Sequence, residues 1–234
     1  MKPLMKKLVL TMAAVSLLIL GGCSSNDQKN DKKGSDSETK KEEVKLIKND
    51  RYVEPLNPSE QQIKAFNSLS AAVEKNPDHA ISEEEAKQVA VNFVYDFFTL
   101  ANKKSRSDIG GLQYLPSDSI REYIEFAEAY YYGNYPTIVN EYGKDALPQV
   151  SAVKVESSEE AQFVYNDTTC DGFTLKVSVS YAKTDLKESA LKKEMRIKVM
   201  KIMDYDFNRS YDYTKRNLVF EGEMKSVYRV LAVE

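Results

Sequence analysis

The sequence predicts an α+β fold, with helices in its first half packed on one face of a curved antiparallel sheet in its second. Three observations support this. Ser59 with Gln62 and Ser82 with Glu85 have capping-box spacing, and each pair opens a segment with apolar residues at helical intervals. From Val150 the apolar period drops to two and holds over several runs. Ahead of both lies a short apolar run near the N-terminus, then a long polar stretch.

The front of the chain reads as an export leader. Lys2, Lys6 and Lys7 precede an apolar run over residues 8–20, which ends at Gly21-Gly22-Cys23. That run is shorter than the ~20 apolar residues a spanning helix needs. A basic start, a short apolar centre and small residues at its end are the parts of a cleaved signal. Residues 24–43 mix Asn, Asp, Lys, Ser and Glu almost without apolar side chains, too few to offset the entropy of ordering. The expected units are a leader over 1–22, a disordered tether over 23–57 and a globular domain over 58–234, with 58–80 as an accessory helix.

Within the domain, Ile63, Phe66 and Val73 share a side of the first helix, which Asn76-Pro77 ends. Ser82 opens the strongest helix, with Glu83, Glu84 and Glu85 where the helix dipole favours acids. Ala86, Val89, Ala90, Phe93, Phe97 and Leu100 form its stripe. A third helix is expected near Ser117-Asp118, and a short fourth from Thr137 to Gly143. In the sheet, Val153 and Val155 begin a strand, and Ser157-Ser158 reads as a turn before Phe163. Phe173, Leu175, Val177, Val179 and Tyr181 alternate strictly with polar residues, as in a sheet with one wet face. Met195, Ile197 and Val199 continue the pattern, and a slip of one residue at Met200 reads as a bulge. A last strand is expected over about 217–233, interrupted at Gly222.

Composition excludes some functions. The formal net charge is -3, and it becomes more negative once the leader lysines are removed. Nucleic acid is therefore not an expected partner, because phosphate binding needs a basic face. The only cysteines are Cys23 and Cys170, so no disulfide framework is available if Cys23 is modified.

The residues around Leu20-Gly21-Gly22-Cys23 resemble the lipobox of bacterial lipoproteins. That resemblance implies cleavage between Gly22 and Cys23 and a diacylglyceryl group on Cys23. Two acyl chains hold a protein on a membrane where one binds only weakly. The implied location is the extracytoplasmic face of the cell membrane, in a Gram-positive type of envelope. From about Ser82 onward, the order of helices and strands resembles the NTF2-like fold, with cystatin-like domains as near neighbours. In NTF2-like domains, helices close a bent sheet into a cone.

Chemistry is sparse. His79 is the only histidine and falls in a loop beside Pro77. No grouped ligands suggest a metal, and nothing suggests a cofactor. Asp204, Asp206, Asn208 and Asp212 lack the glycine and glutamate of a calcium loop and read as a solvated hairpin. Cys170 is expected in the turn before the Phe173 strand. Asp96 borders the main helix stripe, about 60° from its centre at ~100° per residue, and is the one candidate acid for the cone. Tyr131, Tyr132 and Tyr211 come from two tyrosine clusters and are candidates for contact with a partner, tyrosine being enriched at interfaces. Packing inside the domain is the competing role for the same rings.

The expectation is a lipid-anchored envelope protein with a non-catalytic interaction or assembly domain, acting on another envelope protein or as a homodimer. A cone that binds a small apolar ligand is the alternative, followed by an NTF2-like enzyme using Asp96.

Overall fold

The computed structural model describes residues 44–234. The leader, Gly22, Cys23 and most of the tether lie outside the described residues. The domain is α+β, with helices and a four-stranded antiparallel sheet.

Helix α1 runs Glu60–Glu74. Its capping box is complete: Ser59 Oγ accepts from the Gln62 amide at 3.2 Å, and Gln62 Oε1 accepts from the Ser59 amide at 2.8 Å. Helix α2 runs Glu83–Phe98. Its box is only half made. Ser82 Oγ accepts from the Glu85 amide at 3.2 Å, but the Glu85 carboxylate does not turn back to Ser82. It points inward to Arg51 Nη1 at 2.7 Å, and the Ser82 amide instead donates to the Tyr228 hydroxyl at 2.6 Å. The third helix begins as a 3-10 turn over Ser117–Ser119 and continues as α3, Ile120–Ala129. Helix α4, Tyr135–Tyr142, starts two residues before the expected Thr137 and stops at Gly143, whose φ of +83° suits glycine.

The strands are β1 Val150–Tyr165, β2 Thr168–Tyr181, β3 Glu194–Asp204 and β4 Lys225–Val233, in the order β1-β2-β3-β4. The alternation in β2 is as expected: Phe173, Leu175, Val177 and Val179 are buried, while Lys176 and Ser180 are exposed.

Several boundaries differ from the sequence expectation. Ser157-Ser158 is not a turn. β1 passes through it, with Ser157 paired to Lys176 and Ser158 to Leu175, and the pairing slips just before, so Glu156 is the extra residue of a bulge. The turn lies at Asn166-Asp167, both at positive φ (51° and 61°), as a two-residue hairpin requires. Cys170 therefore sits within β2 and is buried, not in a turn. The slip near Met200 does coincide with a bulge, but its extra residue is Leu231 on β4. Lys198 pairs with Ala232 and Val199 with Val230. β4 starts only at Lys225, and residues 217–224 are irregular, with Gly222 at φ +100°.

The β2–β3 ladder covers only part of either strand. It runs from Ser178 opposite Glu194 to Gly172 opposite Met200 and stops there. Beyond that point β2 continues with β1 to Thr168, and β3 continues with β4 to Asp204. The sheet forks into two ribbons.

The end of the tether also differs. Residues 44–57 were expected to be disordered up to Asn57, yet Arg51 and Tyr52 are 6% and 4% exposed. The Asn67 side chain accepts from the Ile47 amide and donates to the Lys45 carbonyl, each at 2.8 Å. Tyr52 Oη meets the main chain of Tyr228 on β4, accepting from its amide at 3.2 Å. This segment is a strap across α1, α2 and the free edge of β4. Burial of Arg51 and Tyr52 offsets the entropy of ordering the segment.

Removing one partner of a buried ion pair strands the other charge. Arg51→Met should therefore lower unfolding stability by about 3–5 kcal/mol in urea titration. A midpoint equal to wild type would mean that the strap does not hold the domain.

Candidate functional site

Asp96 and Tyr211 are far apart in sequence, but the fold brings them to one cleft of about 350 Å³. Its walls are the loop after α2 (residues 103–113), Ile124 of α3, Pro55-Leu56 from the strap and the β3–β4 loop around residues 207–214. Gly110 lets the first wall close. A Cβ there would lie 2.2 Å from the Asp96 carbonyl oxygen, so only glycine permits the approach.

Both oxygens of Asp96 are occupied. Oδ1 pairs with Lys103 Nζ at 2.7 Å, and Oδ2 accepts from the Gly111 amide at 2.7 Å. The other carboxylates of the cleft are engaged in the same way. Asp108 accepts from the Lys104 amide, and Asp212 accepts from the amide and hydroxyl of Thr214. These contacts with Thr214 hold Asp212 below the usual carboxylate range. Asp96 ties α2 to the loop that follows it, and Asp108 and Asp212 brace the loops that carry them. Arg209 donates to the Glu54 carbonyl and so ties the β3–β4 loop to the strap.

The tyrosines divide by environment. Tyr132 is fully buried: its hydroxyl donates to the Phe97 carbonyl and accepts from the Gly110 amide, both at 2.9 Å. It belongs to the packing of the domain and offers no surface to a partner. Tyr131 is half-buried, stacked on Phe97 at 5.4 Å, with its hydroxyl on the Phe98 carbonyl at 3.0 Å. Tyr211 is half-buried against Tyr213 and Phe220, and its hydroxyl accepts from the Glu221 amide at 3.1 Å. The exposed member of the triple tyrosine is Tyr130, at 58%.

The interior is filled with rings. Phe93, Phe97 and Phe98 of α2 pack with Tyr114, Tyr123 and Tyr132, all at 2% exposure or less. Burial drives the phenols of Tyr114, Tyr123, Tyr131 and Tyr132 well above the usual tyrosine pKa. The Tyr123 hydroxyl has no hydrogen-bond partner.

The remaining candidates lie elsewhere. His79 sits in the α1–α2 loop with Nδ1 3.1 Å from the Ser226 carbonyl oxygen. Burial, then the nearby Asp171 charge, raises the Cys170 thiol pKa. Asp204 is not part of a solvated hairpin. It is 4% exposed and pairs with Arg229 Nε at 2.7 Å, and the Ser117 hydroxyl donates to it at 2.5 Å. Among the described residues, no group of three His, Cys, Asp or Glu is placed to hold a metal, and no helix is long and apolar enough to cross a membrane.

The sequence reading missed the two buried ion pairs, Arg51–Glu85 and Asp204–Arg229. Arg229 did leave a signal, being a charge set between Tyr228 and Val230 in an otherwise apolar run. Glu85 left none, because it sits where a capping-box acid belongs. The chain matches no protein-family model, no curated protein and no solved structure.

Two measurements check this assignment. Asp96→Asn keeps the shape but leaves Lys103, whose side chain is 7% exposed, without its counter-charge. Stability should fall by about 1–3 kcal/mol. Unchanged melting would return Asp96 to the list of free acids. The buried phenols have a raised folded-state pKa, so their stabilising effect holds below about pH 10, the ordinary phenol value. It is lost as pH climbs from there toward the raised value. Phenolate absorbance of this buried set should therefore appear together with loss of circular dichroism. Their ionisation in a still-folded chain would contradict the packing.

Proposed function

We propose that this chain is a lipid-anchored protein of the cell envelope whose domain, NTF2-like or cystatin-like in architecture, is a non-catalytic module for macromolecular contact or assembly. The observation that carries the reading is the filled interior. A cone that bound a small apolar ligand would need an enclosed apolar cavity. Here aromatic rings occupy the space beside α2, and the clefts among the described residues open at the surface. An enzyme built around Asp96 would need a carboxylate free to move a proton. Asp96 instead has Lys103 on one oxygen and the Gly111 amide on the other. What the domain presents to its surroundings is surface, and surface of this kind serves contact.

The anchor rests on Gly22 and Cys23. Cleavage between them leaves Cys23 as an acylated N-terminus, and the polar stretch after it supplies reach from the membrane. The partner is another envelope protein or a second copy of the chain, and the acidic balance argues against nucleic acid.

Cys23→Ala should release the protein from membranes or leave it unprocessed, and mass spectrometry of the wild type should find two acyl chains on Cys23. A mature N-terminus elsewhere, without lipid, would overturn the anchor. For the domain, reversible crosslinking in intact cells followed by detergent extraction should recover the full chain joined to one envelope protein or to itself. Recovery of the uncrosslinked chain alone, at every crosslinker length, would overturn the contact reading.

A further inference from the structure

The fork in the sheet has the chemistry of a strand-binding notch. Past Gly172 and Met200, β2 and β3 are no longer paired with each other. Residues 168–171 keep β1 on their far side, and residues 201–204 keep β4. In an antiparallel ladder, main-chain groups point alternately to the two neighbours. Every second residue along each prong therefore turns its N–H and C=O toward the gap. The gap is a cleft of about 510 Å³.

The apex is shut by close approach. A Cβ on Gly172 would fall 2.1 Å from the Val199 carbonyl oxygen and 2.8 Å from Met200 Cα. The strands touch there and diverge beyond. At the mouth stand large apolar side chains in water: Ile81 at 50%, Met203 at 55% and Met224 at 45% exposure. Methionine is flexible and polarisable and suits surfaces that accept varied partners. The prong tip and its surroundings are acidic, with Asp118, Asp167 and Asp171 all exposed. The Lys201 ammonium also lines the cleft, drawn to one side by the carbonyls of His79 and Ala80, so the negative charge gathers on the other prong.

Resting on the contact reading above, we infer that this notch takes an extended peptide from a partner protein, with apolar side chains alternating along it and basic residues at one end. Main-chain hydrogen bonds to the two prongs supply the affinity, as in strand addition at a sheet edge. The methionines and Ile81 receive the apolar side chains. The acidic rim receives the basic end and fixes the direction. A second copy of this acidic chain is disfavoured by the same rim.

The probe is a pooled synthetic library of peptides with about six randomised positions, alternately apolar and polar, and lysines at one end, a length that spans the prongs at ~3.3 Å per residue. It is applied to the full chain in detergent micelles. Enriched peptides should lose binding when alternate amides are N-methylated. They should bind about tenfold or more weakly to Met203→Lys and to Met224→Lys, with melting of both variants unchanged. Val219→Lys, at a site 76% exposed and outside the notch, should bind as wild type. Amides within 169–171 and 201–203 should exchange more slowly in the complex. A library with no peptide enriched on wild type over Met203→Lys, or enriched peptides indifferent to N-methylation, overturns the notch. If the cellular crosslinked partner persists in Met203→Lys, the notch fails and the contact reading stands. If no partner is crosslinked to the wild type, the contact reading itself fails.

Discussion

Arg51 and Glu85 meet where both side chains are almost dry, at 3% and 1% exposure. Such a pair is tolerated only when its remaining hydrogen-bonding positions are filled. Here most of them are. Arg51 also donates to the Asn76 carbonyl, and the Asn76 side chain donates back to Glu85 at 2.9 Å. Tyr52, next in the chain, reaches Glu85 Oε1 at 3.5 Å and the main chain of Tyr228 on β4. One cluster thus joins the strap, the turn between α1 and α2, the first turn of α2 and the free edge of the sheet. Burial, with the Glu85 charge second, raises the Tyr52 phenol above its usual range, which keeps the cluster's charge count fixed. The cluster also accounts for the incomplete cap on α2. Glu85 turns toward Arg51 and away from the Ser82 amide, and the Tyr228 hydroxyl takes over the amide.

Much of the fold was legible because it rests on local periodicity. The stripe of α2 and the alternation of β2 are strong signals, and both elements stand where the pattern puts them. The misreadings come from places where a local signal had two meanings. A serine pair suits either a turn or an exposed stretch of strand, and both serines pair with β2 beside a bulge at Glu156. Cys170 followed that error, since its position depended on where the turn fell. Residues 44–57 are polar enough to read as tether, and only contacts with distant elements order them. Of the candidate site, Asp96 was legible as a stripe-edge residue, but Lys103 and Gly111 reach it through a loop that carries no periodic signal. Contact and packing were both open for the rings of Tyr131 and Tyr132. The backbone turns one ring outward at Tyr130 and one inward at Tyr132, and spacing alone could not say which.

The domain keeps charged groups out of its interior unless they are paired, and fills the space with aromatic area. Its polar variety lies at the perimeter, in the cleft by Asp96 and in the fork of the sheet. The two perimeters differ in character. The walls of the cleft are braced by carboxylates accepting from backbone amides and by the Tyr211 hydroxyl on the β3–β4 loop. The fork leaves main-chain groups of two strands without each other. Rigid support thus lies beside an unfinished ladder, and the contact proposal rests on that difference.

The strap also has a consequence in time. Tyr52 and Tyr228 are 176 residues apart, and the strap is among the first parts of the domain to leave the ribosome. Its partner strand is among the last. Contacts of such separation form slowly, because a long loop must close before they give anything back. Throughout synthesis the strap waits without its edge, although the partners of Arg51 at Asn76 and Glu85 are made long before β4. Until the last strand arrives that edge cannot lock, so a nascent chain that still lacks β4 stays open along it.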